Sequence, residues 1–141
     1  MATIKEEWWD SINSSLADGT PCLVGTVSAD GLPQISPKGS VLVHNAGALA
    51  FWERSNRTVL ANIQANNNIV VYYRNPDKAE FLPQGACLRF YGTCRVVTDG
   101  PEREAVMGKV VQRELDADKG RTGAAVIIDV DRITKLRGED V

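Results

Sequence analysis

Histidine and cysteine are scarce in this chain of 141 residues, which has one histidine and three cysteines. His44 has no second histidine with which to share a zinc or haem site, and Cys22, Cys87 and Cys94 lack the C-x-x-C spacing of zinc ligands. The chain also has no G-x-S-x-G nucleophile motif and no G-x-x-x-x-G-K-[ST] phosphate loop. We therefore expect no resident metal, no Ser-His-Asp hydrolase and no P-loop nucleotide site.

Long apolar runs are missing too, since none approaches the ~18–20 residues that cross a bilayer. The opening segment MATIKEEWWD carries acidic residues and tryptophans where a signal peptide has a basic patch and an apolar core. A formal net charge of −2 and a pI near 5.4 are not those of a typical nucleic-acid binder. Three cysteines at scattered positions are more typical of reduced thiols than of a disulfide framework. We expect a cytoplasmic protein that binds neither membranes nor nucleic acid.

The remaining composition is ordinary, with 43% hydrophobic and 24% charged residues in a length that suits one domain over residues 1–141. Thr3 and Glu6 form a capping box, and Ile4, Trp8 and Ile12 recur at helical spacing, so a helix is predicted before Gly19. Two further helices are predicted, over residues 55–65 and 99–115. Strands are predicted over residues 21–28, 34–44, 48–53, 69–73, 86–98, 124–131 and 133–137.

This order of elements contains no alternating βαβ units, which argues against a parallel sheet. The Asp30-Gly31 pair predicts a hairpin between the first two strands, and Gly92 indicates a bulge or bend in the strand over 86–98. Consecutive short antiparallel strands with few helices favour a closed or split barrel. The predicted fold is α+β, an antiparallel split β-barrel with a few flanking helices.

Two polar features are candidates for ligand binding. Gln34, Ser36, Lys38 and Ser40 share one face of a strand at a period of two residues, either as an exposed polar face or as a surface that binds an anion or a polar ring edge. Residues 55–58, SNRT, begin a predicted helix, where free backbone N–H groups favour an anion. The helix start is either an ordinary cap or, with Arg57 and Thr58 as donors, a phosphate site. The combination favours a phosphate-bearing ligand.

The aromatic pair in Phe51-Trp52-Glu53 comes just before that helix. Side chains at the end of this strand either line a planar ligand or belong to the core, and at least one of the two aromatics is expected in the core.

Several of these segments, taken in order, resemble the pyridoxamine 5′-phosphate oxidase-like family of FMN-binding split barrels. Residues 26–37, TVSADGLPQISP, are similar to the family's T-v-x-x-d-G-x-P-x-x-s-P opening. The resemblance continues through residues 48–53, 55–58 and 62–70, and residues 88–96, LRFYGTCRV, are similar to the strand that ends in G-x-a-x-v. Each motif is loose alone, but their order and spacing are specific.

The resemblance implies a homodimer with two FMN sites at the subunit interface. The strand around Ser36, Lys38 and Ser40 would approach the flavin or its phosphate. Phe51, Trp52 and Glu53 would border the isoalloxazine ring, Arg57 and Thr58 would hold the phosphate, and Arg89 would replace a glutamine whose position is taken by Cys87.

The chain also departs from the family pattern. The family's R-x-v-l-l-K run is read here as Ser36-Pro-Lys-Gly-Ser-Val41, and its R-K pair as Arg57-Thr58. We therefore do not expect vitamin B6 oxidation. The expected function is a flavin-dependent oxidoreductase acting on a small-molecule substrate, with FMN or else a deazaflavin as cofactor. The alternative is a protein of the same fold that binds or senses a flavin or another phosphorylated ligand without turnover.

Overall fold

The computed structural model describes residues 1–54 and 57–141. After a 3-10 turn at Glu6–Trp8, four α-helices and seven strands follow. The helices are α1 (Trp9–Asn13), α2 (Thr58–Ala65), α3 (Pro101–Met107) and α4 (Gln112–Asp116). The strands are β1 (Cys22–Val27), β2 (Pro33–Lys38), β3 (Leu42–Asn45), β4 (Ala48–Glu53), β5 (Asn68–Arg74), β6 (Cys87–Val97) and β7 (Ala124–Thr134). No helix in these two ranges is long and apolar enough to cross a membrane.

All seven strands form one antiparallel sheet in the order β2-β1-β5-β6-β7-β4-β3. The chain runs from β2 directly into β3 through residues 39–41, so the two outermost strands of the sheet are neighbours in sequence. The sheet therefore curls until its ends approach each other, without a hydrogen-bonded ladder between the described parts of β2 and β3. The predicted α+β antiparallel split barrel is confirmed.

The core lies inside this curled sheet because the strands alternate apolar and polar faces. In β1, Cys22, Val24 and Thr26 are buried while the residues between them are half-exposed. β4 is buried on both faces: Leu49 and Phe51 belong to the inner core, and Trp52 packs with Val106 of α3 on the other side. Because β4 is packed on both faces, it is a rigid support for the residues at its end.

α2 packs against the inside of the sheet with Val59 and Ile63. The amide of Asn62 donates a hydrogen bond of 3.0 Å to the hydroxyl of Thr26 on β1, and both residues are buried. This bond satisfies two polar groups that would be costly to leave unpaired. It fixes the helix against β1, and thereby fixes the position of the helix N-terminus.

The structure corrects several predicted element boundaries. The strand expected over 34–44 is two strands separated by residues 39–41, because the chain turns there from one end of the sheet to the other. The helix expected over 99–115 is divided into α3 and α4. The N-terminal helix is shorter than expected, and Thr3 does not cap it, although Ile4, Trp8 and Ile12 are buried as the spacing predicts.

The closing strands expected over 124–131 and 133–137 are a single strand, β7, with a register shift opposite Tyr91 and Gly92. The predicted irregularity at Gly92 is confirmed, since an added Cβ there would lie 2.1 Å from the carbonyl oxygen of Asp129. The side chain of His44 is mostly buried and lies 3.5 Å from the Glu102 carboxylate.

Candidate functional site

The two ends of the curled sheet are joined by the hydroxyl of Ser40. It accepts a hydrogen bond from the backbone N–H of Trp52 at 2.9 Å and donates one to the carbonyl oxygen of the same residue at 3.2 Å. These backbone groups lie past the end of the ladder between β3 and β4, whose last pair toward this end is Leu42 with Ala50. Ser40 therefore takes the place of a strand partner. We call the junction of residues 37–40 with residues 52–54 the seam.

A buried ion pair lies at the seam. The ammonium of Lys38 is 2.6 Å from Oε2 of Glu53, whose side chain is only 1% exposed. A buried carboxylate requires compensation because burial removes its hydration. Lys38, whose side chain is 17% exposed, supplies this compensation from the opposite end of the sheet and also lies 6.0 Å from the centroid of the Phe51 ring.

A cavity of about 430 Å³, the seam cavity, opens beside this ion pair. Its walls come from three places in the chain: the end of β2 with the turn after it, the end of β4, and α4 with the residues that follow. The lining residues are Pro37, Lys38, Gly39, Ser40, Trp52, Glu53, Arg54, Glu114, Ala117 and Asp118. A cavity of this size holds a small molecule or part of a cofactor.

Asp118 fixes the wall that follows α4. Its carboxylate accepts hydrogen bonds from Nε1 of Trp52 at 2.8 Å, from the backbone N–H of Gly123 at 2.7 Å, and from the N–H and hydroxyl of Thr122. Burial by itself raises the pKa of Asp118, but these hydrogen bonds outweigh it and hold the pKa below the ordinary value of 3.8. An added Cβ at Gly123 would lie 2.5 Å from Nε1 of Trp52, so this approach requires glycine.

Arg57 and Thr58 lie at the start of α2, five residues or fewer beyond Glu53 along the chain. Both are exposed, and within residues 57–65 no side chain caps the helix. No ion pair of Arg57 with another described residue is found, whereas Lys38 is already paired. Ser55, which begins the SNRT segment, lies outside the described residues.

The structure brings some of the predicted site residues together and separates others. Lys38, Ser40, Trp52 and Glu53 meet at the seam cavity. Ser36 is half-buried on the same face of β2 and accepts a hydrogen bond from the amide of Gln34.

Phe51 and Arg89 lie apart from the seam cavity. The Phe51 ring is fully buried in the core. Arg89 lies on β6, where its guanidinium donates to the carbonyl oxygens of Lys135 and Leu136 and lies over the ring of Tyr72.

Three charged residues of the cavity were not predicted from the sequence: Arg54, Glu114 and Asp118. Arg54 directly follows the predicted Phe51-Trp52-Glu53 segment, and its position there was the only local signal. Glu114 and Asp118 come from a region that reads as a charged helix end and loop, and no pattern in the sequence indicates that it folds over β4.

We expect Ser40→Ala to lower the free energy of unfolding by about 2 kcal/mol, because the N–H and C=O of Trp52 lose their shared partner in a buried place. Urea denaturation at neutral pH measures this change. Ser40→Thr keeps the hydroxyl and should retain most of the stability, and Ser36→Ala serves as the control on the neighbouring strand. A Ser40→Ala protein as stable as the parent would contradict the structural role of this hydroxyl.

Asp118→Asn should also destabilise the protein, by about 2 kcal/mol at pH 7, because an amide cannot accept all four hydrogen bonds. Since the folded-state pKa of Asp118 is lowered, its stabilisation is fully present above 3.8 and is lost as pH falls through the folded value. Urea denaturation of both proteins at a series of pH values should therefore show the difference narrowing in acid. A pH-independent difference would contradict this assignment.

Comparison with known proteins places the chain among split barrels. The solved structures that share its fold include the following three. HupZ from Group A Streptococcus is 27% identical over 98% of each chain, with a TM-score of 0.75. An FMN-binding protein from Syntrophomonas wolfei is 10% identical, with 92% and 86% of the two chains covered and a TM-score of 0.70. An F420 reductase is 20% identical, with 87% and 96% covered and a TM-score of 0.61.

Comparison with curated proteins gives no match. The sequence profile of the pyridoxamine 5′-phosphate oxidase family, however, matches residues 9–135, which is nearly the whole chain and includes every strand described above. The motifs noted in the sequence and the order of strands agree with this match. The chain belongs to the pyridoxamine 5′-phosphate oxidase family.

Proposed function

We propose that this protein binds a flavin, with FMN as the first candidate, and uses it to oxidise or reduce a small molecule at the seam. The observation that carries the proposal is the exposed Arg57 at the start of α2, which has no ion-pair partner in residues 1–54 and 57–141 and lies within a few residues of the seam cavity. Family membership supports a flavin ligand, and the cytoplasm, where buried free thiols such as Cys22, Cys87 and Cys94 persist, is the proposed location.

The phosphate of the flavin is assigned to the start of α2 because the cations at and near the seam, Lys38, Arg54 and Arg57, differ in their availability, Arg54 being the ion-pair partner of Glu114. Lys38 already compensates Glu53, so an anion that recruited Lys38 would leave a buried carboxylate without its cation. Arg57 and Thr58 offer a guanidinium fork, a hydroxyl and the free N–H groups of the first helical turn. These groups fit a phosphate monoester.

The flavin ring is assigned to the inner face of β2. Gln34 and Ser36 there provide hydrogen-bonding groups that are half-buried, as the polar edge of a heteroaromatic ring requires. The role of Ser40, Trp52 and Phe51 is structural in this proposal, because the Ser40 hydroxyl is occupied and both aromatic rings are packed. When bound, the flavin supplies hydride or electron transfer, while the protein binds it, orients it and shields it from water.

Two structural neighbours support the choice of cofactor class. One is called an FMN-binding protein and another an F420 reductase, and F420 is a deazaflavin. FMN requires one phosphate site, which the start of α2 provides, so we place FMN first and a deazaflavin second. The second candidate function is flavin binding without turnover. It is favoured because, among the described residues, the seam cavity has no titratable side chain that is both buried and without a partner.

A homodimer is part of the proposal. The outer face of β1, β2, β5 and β6 carries Leu23, Ile35, Val70, Tyr72 and Tyr91 around a shallow cavity of about 360 Å³, and Ile35 is 72% exposed. A continuous apolar patch of this kind marks an interaction surface. Arg89 lies on the same outer face, on β6, which is separated from β2 and Lys38 by two strands. If Arg89 contacts a cofactor as predicted, it would therefore contact the one bound by the other subunit of the dimer.

We expect the purified protein to retain added FMN, seen as the two visible flavin absorbance bands after removal of the excess. Arg57→Ala should weaken FMN binding about tenfold, since it removes a charged contact to phosphate at an exposed position. Fluorescence titration measures the affinity, and Arg137→Ala, an exposed arginine far along the chain, is the matched control.

Equal FMN affinity in the parent and Arg57→Ala would refute the phosphate assignment, and a protein that retains no flavin would refute the proposed function. Bleaching of the bound flavin by NADH or NADPH, with recovery in air, separates an oxidoreductase from a protein that only binds flavin.

Ile35→Glu should convert the proposed dimer to a monomer, because it places a charge in the centre of the apolar patch. Light scattering coupled to size exclusion measures the mass. Phe81→Glu changes another exposed apolar side chain, outside this patch, and should leave the dimer intact. A parent protein that runs as a monomer, or an Ile35→Glu protein that stays dimeric, would contradict the interface.

A further inference from the structure

The segment from α3 to Asp118 covers the side of β4 that faces away from the main core. It packs there in a second hydrophobic cluster, whose buried members are Leu42, Ala48, Ala50, Trp52, Val106, Val110, Ala125 and Ile127. The later part of the segment, which is α4 with the two residues after it, forms one wall of the seam cavity. The parts of this segment differ in how firmly the rest of the chain holds them.

α3 is held firmly. Val106 is fully buried in the second cluster. The Glu102 carboxylate accepts two hydrogen bonds, of 2.5 and 2.9 Å, from the guanidinium of Arg95 on β6. The guanidinium of Arg103 lies over the ring of Trp52, 4.7 Å from its centroid. Burial, a bidentate ion pair and a cation–π contact together fix this helix against the sheet.

The chain is fixed again on both sides of α4. Before the helix, Val110 is buried in the second cluster. After it, Asp118 is buried and accepts the indole hydrogen bond of Trp52. Arg103 fastens the turn that follows, because it donates to the carbonyl oxygens of Arg121 at 2.6 Å and Gly123 at 3.0 Å. We call Val110 and Asp118 the anchors of α4.

α4 itself is held weakly between these anchors. None of its five residues, all of them described, is buried. Leu115 lies half-buried at the margin of the second cluster. Glu114 faces Arg54 with 3.8 Å between Oε2 and Nε, and the Arg54 side chain is 49% exposed, so solvent screens this ion pair. The guanidinium of Arg121 donates to the Leu115 carbonyl oxygen, which keeps the end of the helix intact without joining it to the sheet.

The closed position of α4 depends on the absence of a side chain at Gly39. An added Cβ at this position would lie 2.5 Å from Oε1 of Glu114 and 2.9 Å from the side chain of Leu16. Gly39 does not have a positive φ, so its backbone conformation does not demand glycine. What glycine provides here is room for α4 to approach the turn between β2 and β3.

We propose that α4 is a gate of the seam cavity, which opens when the helix moves away from Gly39 while Val110 and Asp118 stay in place. Local opening is easiest where few buried contacts are lost. Moving α4 gives up a half-buried leucine and a screened ion pair, whereas moving the anchors would empty the second cluster and leave the Asp118 carboxylate without its hydrogen bonds. This proposal goes beyond the proposed function, since it concerns how the cavity admits a molecule and not which molecule enters.

Hydrogen exchange followed by NMR, on the protein without added flavin, tests the gate. The backbone N–H groups of Leu115 and Ala117 bond within the α4 region, that of Val110 bonds to α3, and the indole N–H of Trp52 bonds to Asp118. We expect the two α4 amides to have protection factors about tenfold or more below those of Val110 and the Trp52 indole. Low concentrations of urea should not change their exchange, because a local opening exposes little surface.

Two results of this exchange measurement would overturn the gate. Equal protection of the α4 amides and of Val110 would mean that α4 does not open separately. Exchange of the Trp52 indole as fast as that of the α4 amides would mean that the Asp118 anchor is released together with the helix. Neither result depends on flavin, so the gate and the proposed function can fail independently.

Two variants should open the gate further. Leu115→Ala removes the apolar contact of α4, and Gly39→Ala places a methyl group against Glu114. Each should speed exchange of the α4 amides severalfold and leave that of Val110 unchanged. Gly47→Ala is the matched control, because the nearest atom to its added Cβ is Oδ1 of Asn45 at 3.6 Å. A folded Leu115→Ala protein with unchanged exchange in α4 would contradict the proposal, even if Gly39→Ala failed to fold.

A neutral paramagnetic probe, 4-hydroxy-TEMPO, measures access to the cavity directly. The indole of Trp52 is nearly fully buried and lines the cavity, so its NMR signal broadens only when the probe reaches it. Broadening should be severalfold greater in Leu115→Ala than in the parent or in Gly47→Ala. Equal broadening in the three proteins would show that motion of α4 does not admit molecules to the cavity, and would overturn the gate.

Discussion

The buried carboxylate of Glu53 is the constraint around which this protein is arranged. It ends β4, the strand that is covered on both faces, and its burial leaves it dependent on a cation within the protein. That cation, Lys38, comes from β2, with four strands between the two in the order of the sheet. Lys38 and Glu53 can meet only because the sheet curls, and the seam and the cavity beside it lie where they meet.

The ion pair between Lys38 and Glu53 also determines which charged residues near the seam are available to bind a ligand. A lysine that is held by Glu53 is unavailable to a phosphate, and Arg54 faces Glu114, whereas Arg57 has no ion-pair partner among the described residues. Functional assignments in this protein thus depend less on which charged residues are near the cavity than on which of them are already neutralised.

The sequence predicted the fold well because its signals are local. The alternation in β1, the Asp-Gly turn, the apolar run of β4 and the irregularity at Gly92 are each readable within about ten residues. The break between β2 and β3 was missed because Ser40, a polar residue in an otherwise strand-like run, bonds to Trp52 only after the sheet has closed.

The candidate site was predictable only in part for the same reason. Lys38, Trp52 and Glu53 were found because they lie in motifs of short range. Asp118 reaches Trp52 across 66 residues, and Glu114 is placed by its fit against Gly39, neither of which leaves a periodic pattern. Which of the cations near the seam forms an ion pair is decided by the folded structure and cannot be read from the sequence.

The free edge of β2 has a further consequence for how the protein behaves at high concentration. Unpaired edge strands recruit strands from other molecules and so initiate aggregation. Pro33 and Pro37 occupy β2, where they pair in register with Val27 and Leu23 of β1. Proline has no N–H and is tolerated in sheets where that position faces solvent, so the exposed edge lacks two of its hydrogen-bond donors. An open barrel is thereby protected against continuing its sheet into a neighbouring molecule.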